Sequence, residues 1–256
     1  MPEAGQIVHT MIRVEDLEDA VSWYTDHLEY EEYSRSEADT FTLSFLGPAG
    51  AEDDEHEPVL ELTYNHDGRT YTMGDAWGHI AVRVDDVYDA YEKLMSEGVE
   101  DYRDPDSCGG SYAFVKDPDG HEIEIVERDA GPRWGIDHTM IRVEDADEAI
   151  GWYTRKLDYS LGKRSEHDSF SLYFMKPEHA PDTAMDLELT YNHDGRTYSM
   201  GDAWGHLAIA YPDLEAAWDQ LMSREAEDYR DPKSCGWSYA FTKDPDGHEL
   251  EVVVRD

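Results

Sequence analysis

Apolar and polar positions change rhythm along this chain, and the changes mark its elements. Residues Gln6–Val14 alternate as a strand does, with every second side chain on one face. Apolar Leu17, Ala20, Val21 and Tyr24 then fall at helical spacing behind Asp16, a natural N-cap, which predicts a helix to about His27. Segments 31–36, 40–46 and 59–64 return to strand-like alternation. The order strand, helix, three strands begins again at 79–84. A helix over about 86–96 follows, closed by Gly98, with strands near 111–115 and 122–126 joined by the turn Asp117-Pro-Asp-Gly. The unit is therefore βαβββ.

The whole pattern then repeats. The stretch ELTYNHDGRTYTMGDAWGH, which begins at Glu61, returns at Glu188 with a single change, Thr72 to Ser199. HTMIRVED occurs at His9 and His138, and KDPDGHE at Lys116 and Lys243. The expectation is an α+β protein of four βαβββ modules in two tandem domains, 1–130 and 131–256, with 129–134 as a short linker.

Composition narrows the setting. The 256 residues include 60 Asp and Glu against 21 Lys and Arg, a net charge of −39, which disfavours nucleic acid and anionic membranes as partners. Such acidity can signal disorder, but 7 Trp, 17 Tyr and the regular apolar periodicity require a core. A folded protein in a high-salt cytosol fits better, because molar salt shortens the Debye length to about 3 Å and screens surface repulsion. Cys108 and Cys235 sit at matching positions and suggest no disulfide framework, so a reducing cytoplasm is expected. Neither a signal-peptide pattern nor a membrane-length apolar run is evident.

Candidate chemistry lies in two residues per module. His9, His79, His138 and His206 begin first strands; Glu61, Glu124, Glu188 and Glu251 lie in last strands. If first and last strands are neighbours in one sheet, two facing modules offer two imidazoles and two carboxylates. That N₂O₂ set suits a six-coordinate divalent ion with two positions left for water or substrate. Taken singly, a strand His is more often a hydrogen-bonded structural residue, and a Glu between apolar neighbours more often faces solvent. A recent duplication would also copy idle residues along with working ones. His27, His56, His66, His167 and His179 read as surface residues, and His121 and His248 as parts of the Asp-Gly turns.

The strings HTMIRVED, VLELTYN, WGHIAV and KDPDGHEIEIVE resemble bacterial-type glyoxalase I of the vicinal oxygen chelate superfamily, over nearly all of both halves. The resemblance implies metal ligation by His9, Glu61, His79 and Glu124, and by His138, Glu188, His206 and Glu251. In that family a site forms between two chains, which implies here the pairings His9, Glu61, His206, Glu251 and His138, Glu188, His79, Glu124, in a monomer whose halves act as a pseudo-dimer. It implies conversion of the hemithioacetal of methylglyoxal and a small thiol into a 2-hydroxyacyl thioester. Glu124 and Glu251 would be the bases, with Glu61 and Glu188 as their partners. Arg13, Asn65, Arg142 and Asn192 would hold a γ-glutamyl end. The halves resemble the compact bacterial type, without the extra segments of the family's zinc-dependent enzymes, and that resemblance implies Ni²⁺ or Co²⁺ rather than Zn²⁺.

The family's clamp for the glycine carboxylate of glutathione is a loop Lys. Cys108 and Cys235 stand in its place, which favours γ-glutamylcysteine over glutathione. Other readings are an epimerase or thiol transferase of the same superfamily, whose ligand sets differ, and a metal-free sequestering protein, which lacks the ligands.

Overall fold

The computed structural model describes residues 5–50, 57–129, 131–178, 180–181 and 183–254; His56 and His179 lie outside these. The first module comprises β1 (Gln6–Val14), α1 (Leu17–His27), β2 (Tyr30–Glu37), β3 (Phe41–Pro48) and β4 (Val59–Asn65). The second comprises β5 (Trp77–Val84), α2 (Val87–Ser96), β6 (Glu100–Arg103), β7 (Tyr112–Lys116) and β8 (Glu122–Glu127). The third comprises β9 (Ile136–Val143), α3 (Ala146–Leu157), β10 (Tyr159–Glu166), β11 (Phe170–Pro177) and β12 (Asp186–Asn192). The fourth comprises β13 (Trp204–Tyr211), α4 (Leu214–Ser223), β14 (Tyr239–Lys243) and β15 (Glu249–Val254).

Each helix starts where an aspartate can satisfy free backbone N–H groups. Asp16 accepts from Asp19 N at 3.1 Å, and Asp86, Asp145 and Asp213 do the same for α2, α3 and α4. Leu17, Ala20, Val21 and Tyr24, the apolar stripe of α1, are buried. The fourth module departs from the βαβββ pattern. Where the second has β6, only a bridge between Arg230 and Phe241 pairs with β14. Glu225, with φ 61°, takes the left-handed position that Gly98 holds in the second module.

The strand order matters most for function. One sheet runs β14-β15-β13-β1-β4-β3-β2 and the other β10-β11-β12-β9-β5-β8-β7-β6. Each sheet thus joins a module of one half to a module of the other, through the antiparallel pairs β1–β13 and β5–β9. The segment read as a linker ends in the core. Trp134 is buried, its backbone N–H donates to the carbonyl of Arg83 at 2.7 Å, and its carbonyl accepts from the Tyr30 hydroxyl at 2.8 Å. Arg83 is itself buried, paired with Glu57 at 3.0 Å and donating to the carbonyls of Ile136 and Thr183.

The nearly identical 19-residue stretches meet each other. Asp75 N donates to Ser199 O and Asp202 N to Thr72 O, both at 2.8 Å, and Trp77 stacks on Trp204 at 6.5 Å. Gly74 and Gly201 have φ of 66° and 67°, and a Cβ on either would lie within 2.4 Å of the opposing carbonyl, so both need glycine twice over. His121 and His248 are wholly buried behind their turns. They bond to Asp117 at 2.8 Å and Asp244 at 2.9 Å, and the same carboxylates accept from Tyr24 and Tyr153 of α1 and α3.

Candidate metal centres

Parallel pairing of β1 with β4 and of β13 with β15, joined across β1–β13, brings four donors to one face of the first sheet. His9 Nε2 lies 3.1 Å from His206 Nε2 and from Glu61 Oε2, and 3.3 Å from Glu251 Oε2; His206 Nε2 is 3.3 Å from Glu251. All four donor atoms lie within 4.8 Å of one another, and the side chains are buried or nearly so. The second sheet builds the counterpart. His79 Nε2 and His138 Nε2 are 3.2 Å apart, Glu124 Oε2 is 3.0 Å from both, and Glu188 approaches His138 at 3.3 Å. These are called the first and second centres below.

The spacing fits a divalent ion. Neighbouring ligands at about 2.1 Å from a six-coordinate ion stand about 3 Å apart. Two imidazoles 3.1 Å apart with two carboxylates between them also carry the charge that a dication neutralises. The electrostatics of the site pull the same way. Burial would lower the His9 pKa, yet hydrogen bonds and charge from Glu251 and Glu61 raise it to about 9. Burial would raise Glu251, yet contacts with His206 and His9 hold it down to about 2. Glu124 is likewise depressed by His138 and His79 against the effect of burial.

Several supporting residues escaped the sequence reading. Thr63 and Thr190 donate to the outer oxygens of Glu61 and Glu188 at 3.0 and 2.9 Å; the repeated Glu-Leu-Thr spacing was the available signal. Phe45, Phe241, Phe114 and Phe174 set edges against His9, His206, His79 and His138. Asp137 bonds His138 Nδ1 at 2.8 Å, fixing the tautomer that leaves Nε2 free. Its counterpart at the first centre is Val8, so no repeat pointed to it.

Arg13 is held by the carbonyls of Asp202 and Trp204 at 2.9 and 3.0 Å, and Arg142 by those of Asp75 and Trp77. Arg13 lines a cleft of about 380 Å³ with Arg69, Tyr71 and Lys243; Arg142 lines one of about 270 Å³ with Arg196 and Tyr198. Asn65 and Asn192 donate to Tyr71 and Tyr198 at 2.8 Å and so fix a wall of each cleft. The loops at Cys108 and Cys235 lack lysine at those positions, and the arginines nearby belong to the strand or bridge that precedes each loop. Arg103 lies 4.6 Å over Phe114 and Arg230 lies 4.2 Å over Phe241, the rings that touch His79 and His206.

A family model of the Glyoxalase/Bleomycin resistance protein/Dioxygenase superfamily matches residues 6–125 and 135–252. The probable chloroplastic lactoylglutathione lyase of Arabidopsis thaliana is 30% identical over 97% of this chain and 72% of its own length. The lactoylglutathione lyase of Neisseria meningitidis is 39% identical over 49% of this chain and 93% of its own. Glyoxalase I from Zea mays superposes with a TM-score of 0.86 at 27% identity, covering 98% of this chain and 92% of that one.

Proposed function

The chain belongs to the Glyoxalase/Bleomycin resistance protein/Dioxygenase superfamily, and from that footing we propose that it catalyses the glyoxalase I reaction. The hemithioacetal of a 2-oxoaldehyde and a low-molecular-weight thiol becomes a 2-hydroxyacyl thioester. The observation that carries this reading is the meeting of two imidazoles and two carboxylates at about 3 Å spacing in the first centre, and of two imidazoles and Glu124, with Glu188 3.3 Å from His138, in the second.

His9, Glu61, His206 and Glu251 would hold one divalent ion, and His138, Glu188, His79 and Glu124 another. Such an ion supplies Lewis acidity to the two adjacent oxygens of the substrate. The protein's part is to move a proton between neighbouring carbons. Glu251 and Glu124 are the bases in this reading. Held between two imidazoles, Glu251 is too weak a base for that work; released from them, its basicity returns toward that of a free carboxylate. The carboxylate must therefore exchange partners as it takes the C1 proton and gives it to C2. Glu61 and Glu188, fixed by Thr63 and Thr190, stay as its counterparts. Arg13 and Arg142, in their clefts, would hold the carboxylate of a γ-glutamyl thiol, whether glutathione or γ-glutamylcysteine.

We assign Ni²⁺ or Co²⁺ as the activating ion, on the compact form of the halves, and a salt-rich cytosol as the setting, on the charge of −39 and the two unpaired cysteines. Among the described residues, no helix is long and apolar enough to cross a membrane. Stripping the protein with a chelator and restoring it with Ni²⁺, Co²⁺ or Zn²⁺ tests the reading through thioester absorbance with methylglyoxal and each thiol. Thioester formation restored best by Ni²⁺ or Co²⁺ is expected. Full recovery with Zn²⁺ alone would overturn the metal assignment, and no thioester with any ion would overturn the reaction.

A further inference from the structure

The halves are nearly identical around the metal donors, so the places where they differ report what each centre does separately. At one end of β1 and β9 the centres agree: the Arg13 cleft has Arg69 and Tyr71, and the Arg142 cleft has Arg196 and Tyr198. At the other end they do not. Beside His9 opens a cleft of about 410 Å³ that reaches Phe45, with walls formed by Val8, Val59, Ala210, Val253 and Tyr33. Glu57 also lines it, but that carboxylate is taken up by Arg83 at 3.0 Å.

The register of the donors identifies the matching positions at the second centre. Val8 precedes His9 as Asp137 precedes His138; Val59 lies two before Glu61 as Asp186 lies two before Glu188; Ala210 lies four after His206 as Arg83 lies four after His79. Three apolar wall residues are thus replaced by two carboxylates and a guanidinium. Two of them, Arg83 and Asp137, are engaged with each other. Arg83 lies 3.5 Å from Asp137, Arg128 lies 3.1 Å from Asp137, and Asp137 also holds His138. An apolar group pressed against this cluster would strip water from charges without replacing it, whereas the Val8 cleft gains by losing water.

We propose that the two centres divide the aldehyde substrates: the first takes 2-oxoaldehydes with a bulky apolar substituent, aryl or branched alkyl, and the second takes small ones. This rests on the glyoxalase I reading above, with the thiol lying toward Arg13 or Arg142 and the aldehyde substituent toward Val8 or Asp137. The Arg13 and Arg142 clefts are alike, so the proposal gives both centres a γ-glutamyl thiol. The distinction falls on the aldehyde alone.

Glu124→Gln leaves the first centre working and Glu251→Gln leaves the second, and metal content confirms which remains. For each variant, kcat/KM is measured with the phenylglyoxal and methylglyoxal hemithioacetals of the same thiol. The phenylglyoxal-to-methylglyoxal ratio should be at least about tenfold higher in Glu124→Gln than in Glu251→Gln, the scale on which an apolar pocket discriminates by size. Ala210→Arg or Val253→Phe, added to Glu124→Gln, should pull its ratio toward that of Glu251→Gln. Equal ratios in the two single-centre variants overturn the proposal, as does a ratio that survives both filling substitutions. A parent active on methylglyoxal with one centre wholly inert also overturns it. A parent inactive with every aldehyde removes the glyoxalase I reading itself.

Discussion

Pairs of substitutions separate centres built across the halves from centres built within them. Glutamine keeps the shape of a glutamate and one carbonyl oxygen but removes the charge that a dication needs. Loss of a residue that merely supports a ligand lowers metal affinity about 10- to 100-fold, so loss of a ligating carboxylate should cost at least about 100-fold, or about 2.7 kcal/mol. Glu61 and Glu251 both flank His9, at 3.1 and 3.3 Å, whereas Glu124 sits between His79 and His138 on the other sheet. Glu61→Gln with Glu251→Gln therefore falls entirely on the first centre. The affinity there should drop by about 10⁴ or more, while the second centre keeps one ion and about half of the turnover if the centres contribute equally. Glu61→Gln with Glu124→Gln spreads the same chemical change over both centres. It should leave at most a few per cent of the activity, because each centre has lost a carboxylate. Metal analysis after desalting, thioester formation and metal-dependent thermal stabilisation read the two variants independently. A centre filled at 100 times its Kd contributes about 2.7 kcal/mol of stability, so half of that metal-dependent gain should survive in the first variant. The reverse result, with Glu61→Gln and Glu124→Gln retaining one intact centre, would show that each half makes its own site and would refute the assignment by sheet.

Arg103→Ala with Arg230→Ala should lower kcat/KM for a glutathione hemithioacetal about tenfold while sparing that of γ-glutamylcysteine, if these arginines meet the glycine carboxylate; equal losses with the two thiols would exclude that role. Raising KCl from 0.1 to 2 M, or about 10 to 2 Å in Debye length, should raise the Tm by at least about 10 °C, several kcal/mol of relieved repulsion for a net charge of −39, and a flat Tm would remove the high-salt reading. Burial raises half-buried Asp119 to about 6, above its unfolded value, so ionising it works against the folded state. That cost is absent below about pH 4, grows through pH 6 and is complete above it; Asp119→Asn should then stabilise by about 1 kcal/mol at pH 7 after allowance for solvent screening, and by less at pH 5. A gain independent of pH would point to a different cause.

The parts that could be read along the chain are those with a period. Strand alternation, the helical stripe of α1 and its Asp16 cap depend on neighbours in sequence, and they appear within a residue or two of where the pattern puts them. The eight donors stood out because the same type recurred at the same place in every module. Residues whose role depends on the partner half carried no such mark. Arg83 reads as one more polar position at the end of a strand, yet it is buried against Glu57 and the segment that joins the halves. Trp134 reads as part of a linker, yet it plugs the core. Asp137 is unremarkable until β9 places it behind His138. The loss of a strand in the fourth module is equally hidden, since EDYR stands at both 100–103 and 227–230 and forms β6 only in the first.

The contact of Thr72–Gly74 with Ser199–Gly201 has a bearing on inheritance. In an assembly of two identical subunits, one codon change alters both sites together, and a variant that favours one substrate does so everywhere. A fused gene escapes that coupling wherever the two copies do not meet each other's counterpart, and Val8 can drift from Asp137 without either centre being lost. Where the copies press backbone to backbone, the freedom disappears again. A change at Gly74 meets the carbonyl of Ser199, and a change at Gly201 meets that of Thr72, so each copy polices the other. Glycine is thus held in both places, and even Thr72 and Ser199 beside it differ by one methyl, while the outer ends of the neighbouring strands are free to specialise.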